Sequence, residues 1–264
     1  MNRHSRSFLW PLLVVPLAGL GLVGACAPDV PASTPSPALP ASAVVAAPPA
    51  LPELPAPLGG DCRIEVRGPD GWLDRGGASC GSGGRIGVLV VGDMGWPGPI
   101  LDATVAGMRA RCDAGPCDLG LLAGDLIYGD GADAALRWRG VWDEALAGLR
   151  LPFAAVLGNH EWRQEPNPHL KRAAVFASDG RGGLIAPGPS FAARLRTSDG
   201  RTLLAIAAVD TDSVANPGPG MPGLGAEALA AACGEGAPVL WLGHHPPSSE
   251  GLHHTHEAHV EAAL

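Results

Sequence analysis

The sequence predicts an α/β fold built from two sheets, and three observations carry this. Short apolar runs rich in β-branched residues recur from residue 86 onward, and between them lie stretches with apolar residues three and four apart, so strands and helices alternate. The strand runs are apolar almost throughout, the pattern of strands covered on both faces. After residue 189 two apolar runs flank a Ser-Asp-Gly-Arg turn, which adds an antiparallel hairpin and with it a second, mixed sheet.

In chain order, "IGVLVV" at 86–91 is the first strand of this pattern, "ILDATVAGMRARC" at 100–112 a helix, and "DLGLLAG" at 118–124 a second strand. "ADAALRWRGVWDEALAGL" at 132–149 has helical spacing, and "PFAAVLG" at 152–158 is a third strand. "SFAARLRT" and "TLLAIAAVDT" form the hairpin, "AEALAAAC" at 226–233 is a helix, and "PVLWLG" at 238–243 is a strand. "HEAHVEAAL" at 256–264 opens another helix that shows no capping glycine. No internal repeat is present.

Three segments divide the chain: 1–25, 26–60 and 61–264. The first carries early arginines, an apolar run and then small residues, the composition of an export signal. A permanent membrane helix fits less well, because prolines and glycines interrupt the run. Val23-Gly24-Ala25-Cys26 resembles the lipobox of bacterial lipoproteins, which implies a lipid anchor at Cys26; the alternative is ordinary cleavage near Ala25 or Ala27. Either way the folded part is expected outside the cytoplasm, in the cell envelope, periplasmic or secreted. Residues 26–60 are dominated by Pro, Ala, Ser, Val and Leu and suit an extended tether.

An exported chain favours disulfides, and the spacing pairs Cys112 with Cys117 and Cys62 with Cys80. Cys233 is then odd, a buried free thiol or one whose partner is absent from this chain. The net charge is -8 and Lys171 is the single lysine, so no basic stripe exists to neutralise a polynucleotide backbone. Extended nucleic-acid binding is not expected, and a small substrate or a metal fits better.

Each strong strand ends in a polar cluster: "VVGDMG" with Asp93, "LAGDLIYGDG" with Asp125, "VLGNHE" with Asn159, and "WLGHHP" with His244. Ligand sites in open α/β sheets form at the carboxyl ends of strands, so the clusters can converge. Carboxylate, amide and imidazole together suit hard to borderline metal ions, and two of them are expected.

The order of these clusters resembles the calcineurin-like metallophosphoesterases and, within them, the purple acid phosphatases of the tartrate-resistant type. That resemblance implies an αββα sandwich of two mixed sheets, incomplete at its C-terminal side. It implies Asp93 as ligand of the first metal, Asp125 as the bridge, and Tyr128, the single tyrosine of the chain, as an iron-binding phenolate. Asn159 and His244 would bind the second metal, while His160 and His253 would face the phosphate and the leaving group as catalytic residues. Glu161 stands where many members have Asp, a change expected to alter little.

The implied centre is Fe(III) with Fe(II), Zn or Mn, and the implied reaction is hydrolysis of a phosphate monoester by a water activated between metals about 3.5–4 Å apart. The family's further Gly-His-x-His motif does not occur. His254, His256 and His259 are expected on a helix surface, and the chain is expected to be the N-terminal part of a longer enzyme or a truncated product of weak activity. Two competing functions remain: a phosphodiesterase or nucleotide hydrolase of the same superfamily, and a non-catalytic metal-binding lipoprotein. The aspartates of the first two motifs argue against the latter. Trp96 and Trp162 adjoin the first and third motifs; lining the pocket is one role open to them, and core packing is the expected one.

Overall fold

The computed structural model describes residues 61–68, 70–80, 85–162, 166–212 and 224–245. In order, its elements are β1 (Cys62–Gly68), β2 (Gly71–Ala78), β3 (Val88–Val91), α1 (Pro99–Ala114), β4 (Leu119–Ala123), α2 (Ala134–Arg139) and β5 (Phe153–Val156). There follow α3 (Asn159–Trp162), α4 (Pro168–Phe176), β6 (Leu184–Ile185), β7 (Phe191–Thr197), β8 (Thr202–Ala208), α5 (Leu224–Cys233) and β9 (Val239–Leu242).

Strands β3-β4-β5-β6 form one sheet, parallel throughout among the described residues. The order β2-β1-β7-β8-β9 forms the other, which is mixed, because β9 joins β8 in parallel while the remaining pairs are antiparallel. Side chains alternate across each strand and so divide between two cores. Leu119 and Leu121 of β4 and Ala154 and Val156 of β5 point between the sheets, where they meet Ile64, Leu195, Leu204 and Ile206. Leu122, Phe153 and Ala155 point outward beneath Leu101, Val105 and Met108 of α1 and Trp138 of α2. Phe153 is fully buried with its ring edge-on to Trp142, centroids 5.8 Å apart; burying such a side chain contributes roughly 1.5–3 kcal/mol.

On the outer face of the mixed sheet Ala192, Ala205 and Ala207 present only methyl groups, which lets α5 settle closely through Ala232 and Leu229. The result is four layers, helix–sheet–sheet–helix, as the motif order implies. The Ser-Asp-Gly-Arg hairpin is present, with Gly200 at φ 92 in its turn.

Three features differ from the sequence expectation. The β1–β2 hairpin has a clear alternation, Cys62, Ile64 and Val66 inward with Arg63 and Arg67 exposed, yet it follows a Pro-rich segment that masks it. The helix expected over 132–149 is not uniform: α2 ends at Arg139, and a π-helical turn over Gly140–Leu146 follows. Val141, Trp142 and Leu146 are buried within it. Finally, Cys62–Cys80 and Cys112–Cys117 are disulfides with Cα atoms 5.1 Å apart in each, but Cys233 is disulfide-bonded as well rather than odd.

Candidate metal centre

Because β3, β4 and β5 are parallel, their carboxyl ends share one edge, and β8 and β9 run in parallel beside each other in the second sheet. Asp93 and Asp125 each lie two residues beyond their strands, and both adopt left-handed backbone at φ 59 and φ 54. For a non-glycine residue this costs roughly 1–2 kcal/mol. Backbone bonds between the loops hold it in place: the Asp93 N–H donates to the Gly124 carbonyl (3.1 Å) and the Gly95 N–H to the Asp125 carbonyl (3.0 Å). Strain held at two adjacent carboxylates is characteristic of a functional site.

The side chains converge on Asp125. Its Oδ2 lies 3.3 Å from the Tyr128 hydroxyl, which is 3.0 Å from Asp93 Oδ1. Its Oδ1 lies 3.4 Å from His244 Nε2, which is 2.9 Å from Asn159 Oδ1. One carboxylate therefore stands between two donor groups, Asp93 with Tyr128 on one side and Asn159 with His244 on the other. His160 joins from α3: its N–H donates to Asp125 Oδ1 (3.1 Å), its Nε2 is 3.7 Å from Asp125 Oδ2, and its ring meets Tyr128 edge-on at 4.5 Å.

Two features fit this arrangement to cations. His244 Nδ1 lies 2.8 Å from the Ala123 carbonyl, which can only accept, so in the neutral ring Nδ1 carries the proton and Nε2 turns a lone pair toward the oxygens of Asn159 and Asp125. Ligands at about 2.1 Å in an octahedral shell stand about 3 Å apart, which matches the spacing of these donors. Burial raises the carboxyl of Asp125 above the ordinary range, against the pull of His244 and His160. Burial, and then Asp125 and Asp93, raise the phenol of Tyr128. Both groups thus lack a positive partner of sufficient strength.

Two further residues support the centre. Glu161 is fully buried and ties two loops together: its Oε1 accepts from the Ile127 N–H and its Oε2 from the Gly158 N–H, each at 2.8 Å. The sequence reading gave it little weight, although an acid directly after Asn-His was the available signal. Burial first, then Asp125, pushes its carboxyl from 4.5 up to about 8, opposed by the two N–H bonds and Lys171. An acid raised in this way supports the folded state while protonated, so its contribution is full below 4.5 and is lost as pH rises through about 8. In metal-free protein, Glu161→Gln is expected to be less stable than wild type by about 1–3 kcal/mol at pH 4, since one N–H loses its acceptor. Urea titrations should show that gap narrowing toward pH 8.

Thr211 was also overlooked, though "VDTD" ends β8 beside the "GHH" that ends β9. Its buried Oγ1 accepts from the His244 N–H (3.2 Å) and the His245 N–H (2.8 Å) and pairs with His245 Nδ1 (3.1 Å). Thr211→Val keeps the shape and removes all three bonds. Metal titration of this variant should show about 10–100-fold weaker binding at the His244 side, the usual effect of an orienting partner, with Thr211→Ser close to wild type.

Of the residues singled out in the sequence, Asp93, Asp125, Tyr128, Asn159, His160 and His244 come together; His253, His254, His256 and His259 lie outside the described residues. Trp162 is half-buried against the outer core, with Arg172 over its ring at 4.2 Å. Trp96 is 57% exposed, which corrects its expected core role. The rigid loop after Asp93 carries it outward.

Comparison with known proteins adds the following. Among curated proteins none matches the chain. A solved structure described as GAP50, the anchor in the inner membrane complex of Plasmodium, is similar at 16% identity and TM-score 0.42; the match covers 63% of this chain and 57% of that one. The family model for the calcineurin-like phosphoesterases matches residues 86–263, which span all four strand-end clusters. The chain belongs to the calcineurin-like phosphoesterase family.

Proposed function

We propose that this chain is a phosphate monoesterase of the purple acid phosphatase type. Asp93, Asp125 and Tyr128 would hold ferric iron, while Asp125, Asn159 and His244 would hold iron, zinc or manganese. The observation that carries this is Asp125, whose two oxygens face two separate donor groups. Bound there, the metals would supply Lewis acidity and lower the pKa of an attacking water.

The chain's own residues supply the rest. Asp125 fixes the separation of the two groups. Asp93 and Tyr128 bring hard oxygens to one side, and the Ala123 carbonyl aims His244 at the other. His160, with a partly exposed side chain beside Asp125, is placed to donate a proton to the phosphate or to the departing alkoxide. His253 is proposed for the leaving-group side on the strength of its motif alone. The leader and Pro-rich segment support an exported, envelope-tethered enzyme.

The test uses an aryl phosphate with iron and zinc supplied. Wild type should hydrolyse it and show a visible charge-transfer band, and Tyr128→Phe should bind metal without the colour. A band that persists in Tyr128→Phe overturns the iron–phenolate assignment. Lack of hydrolysis by the metal-loaded chain overturns the esterase reading.

A further inference from the structure

We infer that Trp96 is an aromatic platform at the rim of the centre, and that it selects phosphate monoesters whose alcohol carries a planar aromatic ring. This rests on the monoesterase reading and names its substrate class. Trp96 lies three residues past Asp93 on a loop tied down by backbone bonds. Gly95 is sewn to the second motif by bonds to the Asp125 carbonyl (3.0 Å) and the Tyr128 N–H (2.9 Å), and a Cβ on it would lie 2.6–2.7 Å from the backbone of Leu126, Ile127 and Tyr128. The Trp96 N–H closes a tight turn onto the Met94 carbonyl at 2.8 Å. On the other side, Pro97 abuts Gly140, where a Cβ would meet its ring at 3.0 Å.

The indole is held too. The guanidinium of Arg137 lies 4.6 Å from its centroid, and Asp133 anchors that guanidinium through Nε at 2.7 Å. Arg137 also places the stack, because its Cζ lies 3.1 Å from where a Cβ on Gly129 would be, one residue after Tyr128. The Asp133–Arg137–Trp96 stack therefore borders Gly129, the neighbour in sequence of the tyrosine whose hydroxyl touches both Asp93 and Asp125. With Arg137 on one face and 57% of the residue exposed, the indole offers its uncovered side to solvent. A large apolar ring fixed in the open on the loop that carries Asp93 is preorganised for stacking, and the cation behind it makes no demand on which ring arrives.

The experiment compares substrates that all release a primary alcohol and differ within each pair in whether that alcohol carries a ring: adenosine 5′-monophosphate against ribose 5-phosphate, and benzyl phosphate against ethyl phosphate. In Trp96→Leu, kcat/KM should fall about tenfold or more for the ring-bearing member of each pair, within the range of base stacking on an aromatic side chain, and change less than about twofold for its partner. Equal losses within each pair, or no loss, overturn the platform. If wild type hydrolyses none of the four, the esterase reading fails, and adenosine alone then decides. Quenching of tryptophan fluorescence by adenosine in wild type but not in Trp96→Leu upholds the platform, and absence of that quenching overturns it.

Discussion

Replacing Asp125 with asparagine is expected to remove metal from the centre and to lower phosphate ester hydrolysis about 10³-fold, equivalent to about 4 kcal/mol of barrier. The amide keeps the acceptor for the His160 N–H at Oδ1 but turns an NH2 group toward Tyr128, so one of the two donor groups loses its shared oxygen. The fold should survive, because asparagine adopts the left-handed backbone at φ 54 more readily than most residues and brings no buried charge. Elemental analysis, hydrolysis rates and thermal melting on the same preparation check the three parts. Unchanged rates would rule out Asp125 as the common ligand.

Gly158→Ala should produce the largest loss of stability, about 3 kcal/mol, the upper end for inserting one carbon into a packed region. The added Cβ would lie 2.2 Å from Asp125 Oδ1 and 2.4 Å from the Asp125 backbone nitrogen. A flexible side chain could swing aside, but that nitrogen belongs to the strained turn after β4 and cannot. Both the melting temperature and metal affinity should fall. Gly107 in α1 provides the control, since a Cβ there meets nothing within 4 Å. Gly107→Ala should therefore stabilise the chain by about 0.5–1 kcal/mol.

The parallel sheet was legible because its strands announce themselves twice, by apolar runs and by the polar residues that end them. The residues that shape the centre from behind were harder to read. Glu161 looked interchangeable with aspartate, yet it spans from Ile127 to Gly158, a reach that only the folded loops define. Thr211 sits in a run that reads as the end of a hairpin strand, and its role depends on β9 lying in parallel beside β8, a long-range pairing that local pattern does not encode. Trp96 packs outside the core because the path of its loop is set by contacts of Gly95 with residues 126–128, which local pattern does not encode.

The donors are divided unequally between the layers. Asp93, Asp125 and Asn159 extend from the parallel sheet, whereas His244 extends from the mixed one. The interface between the sheets is otherwise greasy, filled by residues such as Leu121, Val156, Leu204 and Ile206 that would tolerate a small slide. At this rim a slide becomes a change in the 3.4 Å gap between His244 Nε2 and Asp125 Oδ1. An ion gripped by both atoms would act as a rivet through the two halves of the sandwich. Removing it should loosen the seam as a whole, and amide exchange in β8 and β9 would register the release far from the site itself.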